Sequence, residues 1–209
     1  MKDIFIFGAG GHGKVILDIL MECDLKIQGF IDENPEKVGQ TVSGYPILGG
    51  WEVLEKSKNA ALSLGIGNNI MREKTFAKAQ SLGCDILSAI HPRATISRDT
   101  KIGEGSVIMA NAVINPGVIM EEGVVVNTGA TVDHDCFLKR FCHVHPGGNL
   151  AGRVILGEFS YVGTGTAIIQ TLTIGKNVII GAGAAVVKDL PDNVTAVGVP
   201  AKIIKHHTV

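Results

Sequence analysis

The chain has 209 residues, 45% of them hydrophobic and 19% charged, with a formal net charge of -1, a balance that suits a folded globular protein and excludes a disordered one. So neutral a chain has no surplus of lysine and arginine to neutralise a phosphate polymer, and nucleic acid is not an expected partner. The start, Met1-Lys2-Asp3, leads into only four apolar residues before glycine, too few for a signal-peptide core or a membrane span, so a cytoplasmic protein is expected.

The first element is that apolar strand, Ile4-Phe5-Ile6-Phe7, running into Gly8-Ala9-Gly10-Gly11-His12-Gly13 and then a helical stretch from Lys14 to Met21. A second strand, Ile27 to Ile31, ends at Asp32-Glu33. Ala60 to Ile66 is a further apolar run, followed by Gly67-Asn68-Asn69, a helix up to Leu82 and a short last strand at Ile86-Leu87. Alternating strands and helices predict a small parallel α/β sheet, a Rossmann-like domain over residues 1–89.

Gly8-x-Gly10-x-x-Gly13, between a strand and a helix, matches the turn whose N–H groups and helix N-terminus receive a phosphate. Asp32 follows Gly13 by 19 residues, where an acid meets ribose hydroxyls in dinucleotide folds. A redox enzyme is one reading, but fewer than 90 residues hold only about half of such a fold, and a nucleotide-sugar needs only the smaller pocket. A glycine turn with no ligand is the plainest alternative.

His91-Pro92 marks a junction, because the residue before proline is pushed out of helical geometry. From Ile90 onward a six-residue period runs in one phase: Ile96, Ile102, Ile108, Ile114, Met120, Val126, Val132, Leu138, Val144, Leu150, Leu156, Val162, Ile168, Ile174, Ile180 and Val186. All 17 positions are apolar, which chance would produce roughly once in a million tries. Four residues after each, the side chain is usually small, as at Ser106, Ala112, Ala130, Cys136, Cys142, Ser160, Thr166 and Ala184. Glycine follows the apolar position at 103, 157, 163, 175 and 181, where a positive-φ turn is expected. Spacing of six fits no helix, and 27 glycines with 5% aromatics suit a narrow three-sided solenoid over residues 90–209, five to six coils of three hexapeptides each.

Three of the seven histidines fall between Asp133 and His145. Cys136 and Cys142 take the small inward phase; with Cys23 and Cys84, which form no CxxC pair, they read as reduced core thiols. His134 and His143 fall at outward phases. An exposed histidine beside Asp133 or Asp135 is a candidate general base, whereas a zinc site needs three or four converging ligands that this spacing does not supply, so no metal is expected.

Gly8-Ala9-Gly10-Gly11-His12-Gly13-Lys14, Phe30-Ile31-Asp32-Glu33, Ile66-Gly67-Asn68-Asn69, Val132-Asp133-His134-Asp135-Cys136 and Gly198-Val199-Pro200-Ala201-Lys202 together resemble the NeuD/PglD family of sugar O- and N-acetyltransferases, in order and over nearly the whole chain. The resemblance implies a left-handed parallel β-helix, a homotrimer, and acetyl-CoA as co-substrate. It implies that His134 is the general base and that Asp135, where the sugar N-acetyltransferases commonly have Glu, raises its basicity. His143, the backbone of Gly152 and Thr164 would contact acetyl-CoA, with the Gly152 amide an oxyanion donor. Gly10, Gly11, His12, Asp32, Glu33 and Gly67 would hold the uridine diphosphate part of the acceptor, and Asn127 the sugar. The segment from Gly198 to Lys202 would line the channel for the CoA tail, with Lys202 and Lys205 near its phosphates. The implied reaction is direct N-acetylation of a nucleotide-linked amino-deoxysugar for surface glycan synthesis. The alternatives are O-acetylation of a sialic-acid-like sugar and a nucleotide-sugar-binding trimer without catalysis.

Overall fold

An apolar strand near a chain's start needs partners on both sides, and β1 (Asp3–Phe7) has them: it pairs in parallel with β2 (Ile27–Ile31) and with β5 (Ala60–Leu64). The structure is a computed structural model describing residues 2–57 and 59–208; Met1, Lys58 and Val209 lie outside the described residues. Contacts divide the chain into residues 1–92 and residues 93–209.

In the first unit α1 (Gly11–Glu22) begins three residues before the expected Lys14, with Gly10 at its cap. The glycine loop therefore supplies the helix's own first-turn N–H groups, which have no intrahelical partner. The segment 34–57 carries structure that apolar periodicity did not predict: β3 (Thr41–Val42), β4 (Tyr45–Gly49) and α2 (Trp51–Lys56). After β5 come α3 (Asn69–Ser81), capped by the Asn68 side chain on Met71 N–H, and β6 (Asp85–Ile86), one residue earlier than expected. The sheet order is β3-β4-β2-β1-β5-β6, parallel except for the β3–β4 pair. The chain leaves β1 towards β2 on one side and reaches β5 on the other, so a switch point lies at the carboxyl end of β1, where α/β sheets bind ligands. A two-residue strand at Ala89–Ile90 packs on α1 and falls within residues 1–92, with Ile90 in phase with the repeat.

In the second unit each apolar position of the six-residue period closes a two-residue strand, and each strand pairs in parallel with the one 18 residues on. Three strands make one coil, and three parallel sheets make its three sides. The first side carries Val107–Ile108, Val125–Val126, His143–Val144, Tyr161–Val162 and Ile179–Ile180; the second Thr131–Val132 and Asn149–Leu150 among others; the third Phe137–Leu138 and Ile155–Leu156. The second residue of each of these strands is buried. Stacked at the strand spacing of about 4.8 Å, they fill the interior as columns of Val, Ile and Leu. Ile96 and Ile102, on the first coil, are only half-buried. The small residues four positions later are buried, and hydroxyls among them bond the backbone of the next coil, as when Ser160 Oγ donates to Gly175 O (2.7 Å) and Thr166 Oγ1 to Gly181 O (3.0 Å).

The positive-φ turns lie two residues later than expected. They fall at 105, 111, 117 and every sixth residue to 183, fourteen consecutive corners, and include Asp135 (φ 58°) and Phe141 (φ 54°). The glycines at 103, 157, 163, 175 and 181 have no positive φ; they are small because the next coil passes against them, a Cβ at Gly163 standing 2.5 Å from Ile180 O. The first side ends in Val194–Val197, parallel to Ile179–Ile180, and then in an antiparallel edge strand, Lys202–His206. Among the described residues no helix is long and apolar enough to cross a membrane.

Candidate active site

At the corner between the second and third sides, the turn after Thr131–Val132 carries Asp133, His134 and Asp135. Asp135 Oδ2 lies 2.9 Å from His134 Nδ1, with both side chains more than half exposed, 51% for the histidine and 61% for the acid. A carboxylate only accepts, so Nδ1 carries the hydrogen, and in the neutral ring the lone pair then lies on Nε2. One coil later stands Gly152, whose missing side chain is what admits the ring: a Cβ there would come 2.5 Å from His134 Nε2. Gly117, one coil earlier, does the same for the acid, its Cβ falling 2.5 Å from Asp135 Oδ1. The dyad thus occupies two side-chain vacancies in the stacked corners.

Asp133 serves the same turn from the other end. Its Oδ1 accepts from the His134 N–H (2.8 Å) and from Asn115 Nδ2 (2.8 Å), and the Asn115 bond, helped by that N–H, holds its carboxyl below the usual range. Sequence reasoning passed over Asn115; it lies 18 residues before Asp133, so the coil length itself would have found it. Asn115 and Asp133 line a hollow of about 460 Å³ on the second side, whose remaining wall includes Ala151, Ala167 and Ile169. Cys136 is buried, with Sγ 3.2 Å from Ala151 O, and burial pushes its thiol up to about 11, which removes it as a nucleophile at neutral pH. Cys84 and Cys142 are likewise buried, but Cys23, expected in the core, is exposed at the end of α1.

His143 departs from expectation in another way. It points away from the interior, as its phase required, yet is only 3% exposed, because it stacks on His145 at 4.0 Å, faces Tyr161, and meets Asn127 Nδ2 through Nε2 at 3.1 Å. Thr164 is exposed in the turn after Tyr161–Val162. This group belongs to the first side, whereas His134 sits at the corner joining the second and third, so within one chain the two groups face apart across the coil. Among the described residues no three His, Cys, Asp or Glu side chains gather where they would hold a metal ion.

In the first unit the expected ligand loop divides by role. Gly8 and Gly13 are packing glycines: a Cβ at Gly8 would meet Gly65 O at 2.7 Å, and one at Gly13 would collide with Gly8 O. Gly10, Gly11 and Gly67 have nothing within 4 Å of an added Cβ, and His12 is half-buried between them in sequence. Asp32 braces the loop: Oδ2 accepts from Ala9 N–H (3.0 Å) and Lys37 Nζ (2.8 Å), and Oδ1 from Asn34 N–H (3.0 Å). Burial pushes this carboxyl up, but the bonds from Lys37, Ala9 and Asn34 outweigh it and hold the group below its usual range. Glu33 accepts from Trp51 Nε1 at 2.9 Å, and Trp51 packs on Phe7. Arg72, fully buried, donates to Ile66 O (3.1 Å), Gly67 O (3.2 Å) and Asn69 Oδ1 (2.8 Å), fixing the second loop.

Comparison with known proteins falls on the same parts. Residues 3–79 match the PglD N-terminal domain, and residues 99–134 match the bacterial transferase hexapeptide (six repeats). The crystal structure of a histidine-to-asparagine mutant of perosamine N-acetyltransferase from Caulobacter crescentus, in complex with CoA and GDP-perosamine, is 38% identical, with a TM-score of 0.94 over 98% of each chain. The acetyltransferase domain of PglB from Neisseria gonorrhoeae FA1090, in complex with acetyl coenzyme A, is also 38% identical, with a TM-score of 0.91 over 97% of this chain and 99% of that one. A UDP-N-acetylbacillosamine N-acetyltransferase of Bacillus subtilis (strain 168) is 36% identical over 114 residues, 53% of this chain and 52% of that protein, so this match spans about half the length of that relative.

Proposed function

The chain belongs to the NeuD/PglD-like family of hexapeptide-repeat acetyltransferases, and on that premise we propose that it transfers the acetyl group of acetyl-CoA to the amine of a nucleotide-linked amino-deoxysugar for surface glycan synthesis. The observation that carries this reading is the exposed His134–Asp135 pair set against Gly152. His134 Nε2 takes a proton from the sugar amine as the nitrogen attacks the thioester carbonyl, since a protonated amine is no nucleophile. Asp135 fixes the tautomer and stabilises the imidazolium that forms. The Gly152 amide donates to the oxyanion of the tetrahedral intermediate, and its collapse expels CoA thiolate. The first unit holds the nucleotide, a uridine diphosphate in this reading, through Gly10, Gly11, His12, Glu33 and Gly67, with Asp32 bracing the loop through the Ala9 N–H.

Asn127, His143 and Thr164 serve acetyl-CoA and the sugar from the opposite side of the coil. His134 stands at the corner of the second and third sides and His143 on the first, so in this reading one acetyl group meets both where two copies of the chain come together. A homotrimer, left-handed coils and a cytoplasmic location, where acetyl-CoA is available, complete the reading. The test mixes the protein with acetyl-CoA and a panel of UDP- and GDP-linked 4-amino and 3-amino sugars, following CoA thiol release for wild type and His134→Ala. Release with one amino sugar, falling about a hundredfold or more in the variant, is the expected result. Turnover of hydroxylated acceptors alone would replace N-acetylation by O-acetylation, and a variant equal to wild type would remove His134 as the base.

A further inference from the structure

The transfer step above leaves one carboxylate of the corner unused. Asp133 bonds the turn's main chain: its Oδ1 takes the main-chain N–H of His134 and, from the coil before, the side-chain amide of Asn115. The hydrogen bonds of the two acids flanking His134 thus fall on different parts of it. Asp135 orients the imidazole, and Asp133 ties down the backbone that carries it.

That tie matters because the turn is exposed and strained. Asp135 is held at φ 58°, a left-handed conformation that costs a non-glycine residue about 1 kcal/mol or more. The turn's other cross-coil bonds, Asp135 N–H to Pro116 O (3.0 Å) and Arg153 N–H to His134 O (2.9 Å), run along the stack. The Asn115–Asp133–His134 chain adds a side-chain brace at the start of the turn. A carboxylate oxygen suits this place because it accepts two donors at once.

We infer that Asp133, held by Asn115, is a positioning residue for His134: it sets the turn so that Nε2 lies against the bare face of Gly152, where the reacting amine must come. The inference rests on His134 being the base. A base displaced by about an ångström loses on the order of a hundredfold in rate, so the brace acts on turnover and leaves substrate binding alone.

Steady-state kcat and KM are measured for wild type, Asp133→Ala, Asp133→Asn, Asn115→Ala and His134→Ala, with acetyl-CoA and the acceptor that wild type turns over, beside thermal melts. Asp133→Ala is expected to lower kcat by about ten- to a hundredfold with both KM values within about threefold. Asp133→Asn, which keeps the accepting oxygen, should recover most of that loss, and Asn115→Ala should fall between. A folded Asp133→Ala with wild-type kcat, beside a dead His134→Ala, overturns the brace and leaves the base standing. If His134→Ala also keeps its rate, the fault is in the assignment of the base. Should Asp133→Ala fail to fold, Asn115→Ala decides, because it leaves both Asp133 and His134 in place: an unchanged kcat there overturns the proposal.

Discussion

Gly152 is the residue whose smallest change reaches His134. A methyl added there would stand 2.5 Å from His134 Nε2, and the histidine, being the half-exposed partner, is the one that yields. Gly152→Ala is expected to melt within a few degrees of wild type but to lose about a hundredfold in kcat as the ring is driven off its place; an active Gly152→Ala would show that Nε2 does not work there. The outward His134 and the inward Cys136 were legible in the sequence because phase alone separates outward from inward side chains, whereas phase left Asp133 and Asp135 both open as partners and the family resemblance pointed to Asp135. Asn115 was missed because its partnership with Asp133 spans a coil and shows only when residues 18 apart are compared. The burial of His143 was not legible either: phase fixes the direction of a side chain, and only the neighbouring His145 and Tyr161 decide whether solvent reaches it.

At the level of elements the six-residue period predicts the solenoid well, since every apolar position of the stacked coils ends a strand. It misassigned the glycines, because a residue is kept small by two different causes, a left-handed turn or a neighbouring coil, and composition does not distinguish them. At the Phe141 corner the two meet: its ring lies over Gly123 and stacks with Phe159 at 6.1 Å, so an aromatic occupies a left-handed corner where the glycine below leaves room. In the α/β unit the missing elements, β3, β4 and α2, are short and bounded by glycine and proline, which leaves no window long enough to show a period. The Asp32 brace makes a prediction for the glycine loop. Its carboxyl is depressed in the fold, so its contribution is complete above the unfolded aspartate value near about 3.9 and disappears as pH falls through the lower folded value. Asp32→Asn should therefore destabilise the unit at pH 7 and flatten the acid limb of its stability curve below about pH 4, as read by urea melts across pH 3–7. An acid limb identical to wild type would mean that Asp32 carries none of it.

For the molecule as a whole, the sequence divides into two grammars, and the strand ending at Ile90, where the six-residue phase starts, packs on α1. Within one chain His134 and His143 lie on different sides of the coil, and the proposed site joins them across two copies. Sedimentation equilibrium is expected to give three times the chain mass, and dilution to the point of dissociation should abolish turnover; a monomer as active as the assembly would refute the two-copy site. The edge strand Lys202–His206 bears on a different matter, the fate of the protein at high concentration. Stacked parallel coils present unpaired backbone groups at each end of the stack, which is the geometry from which fibres grow. On the first side the last strand runs against the others, all five of its residues are exposed, and Lys202, Lys205 and His206 line it. A further coil would have to add to a strand of reversed direction and like charge, so this face of the stack is closed to propagation by its own final turn.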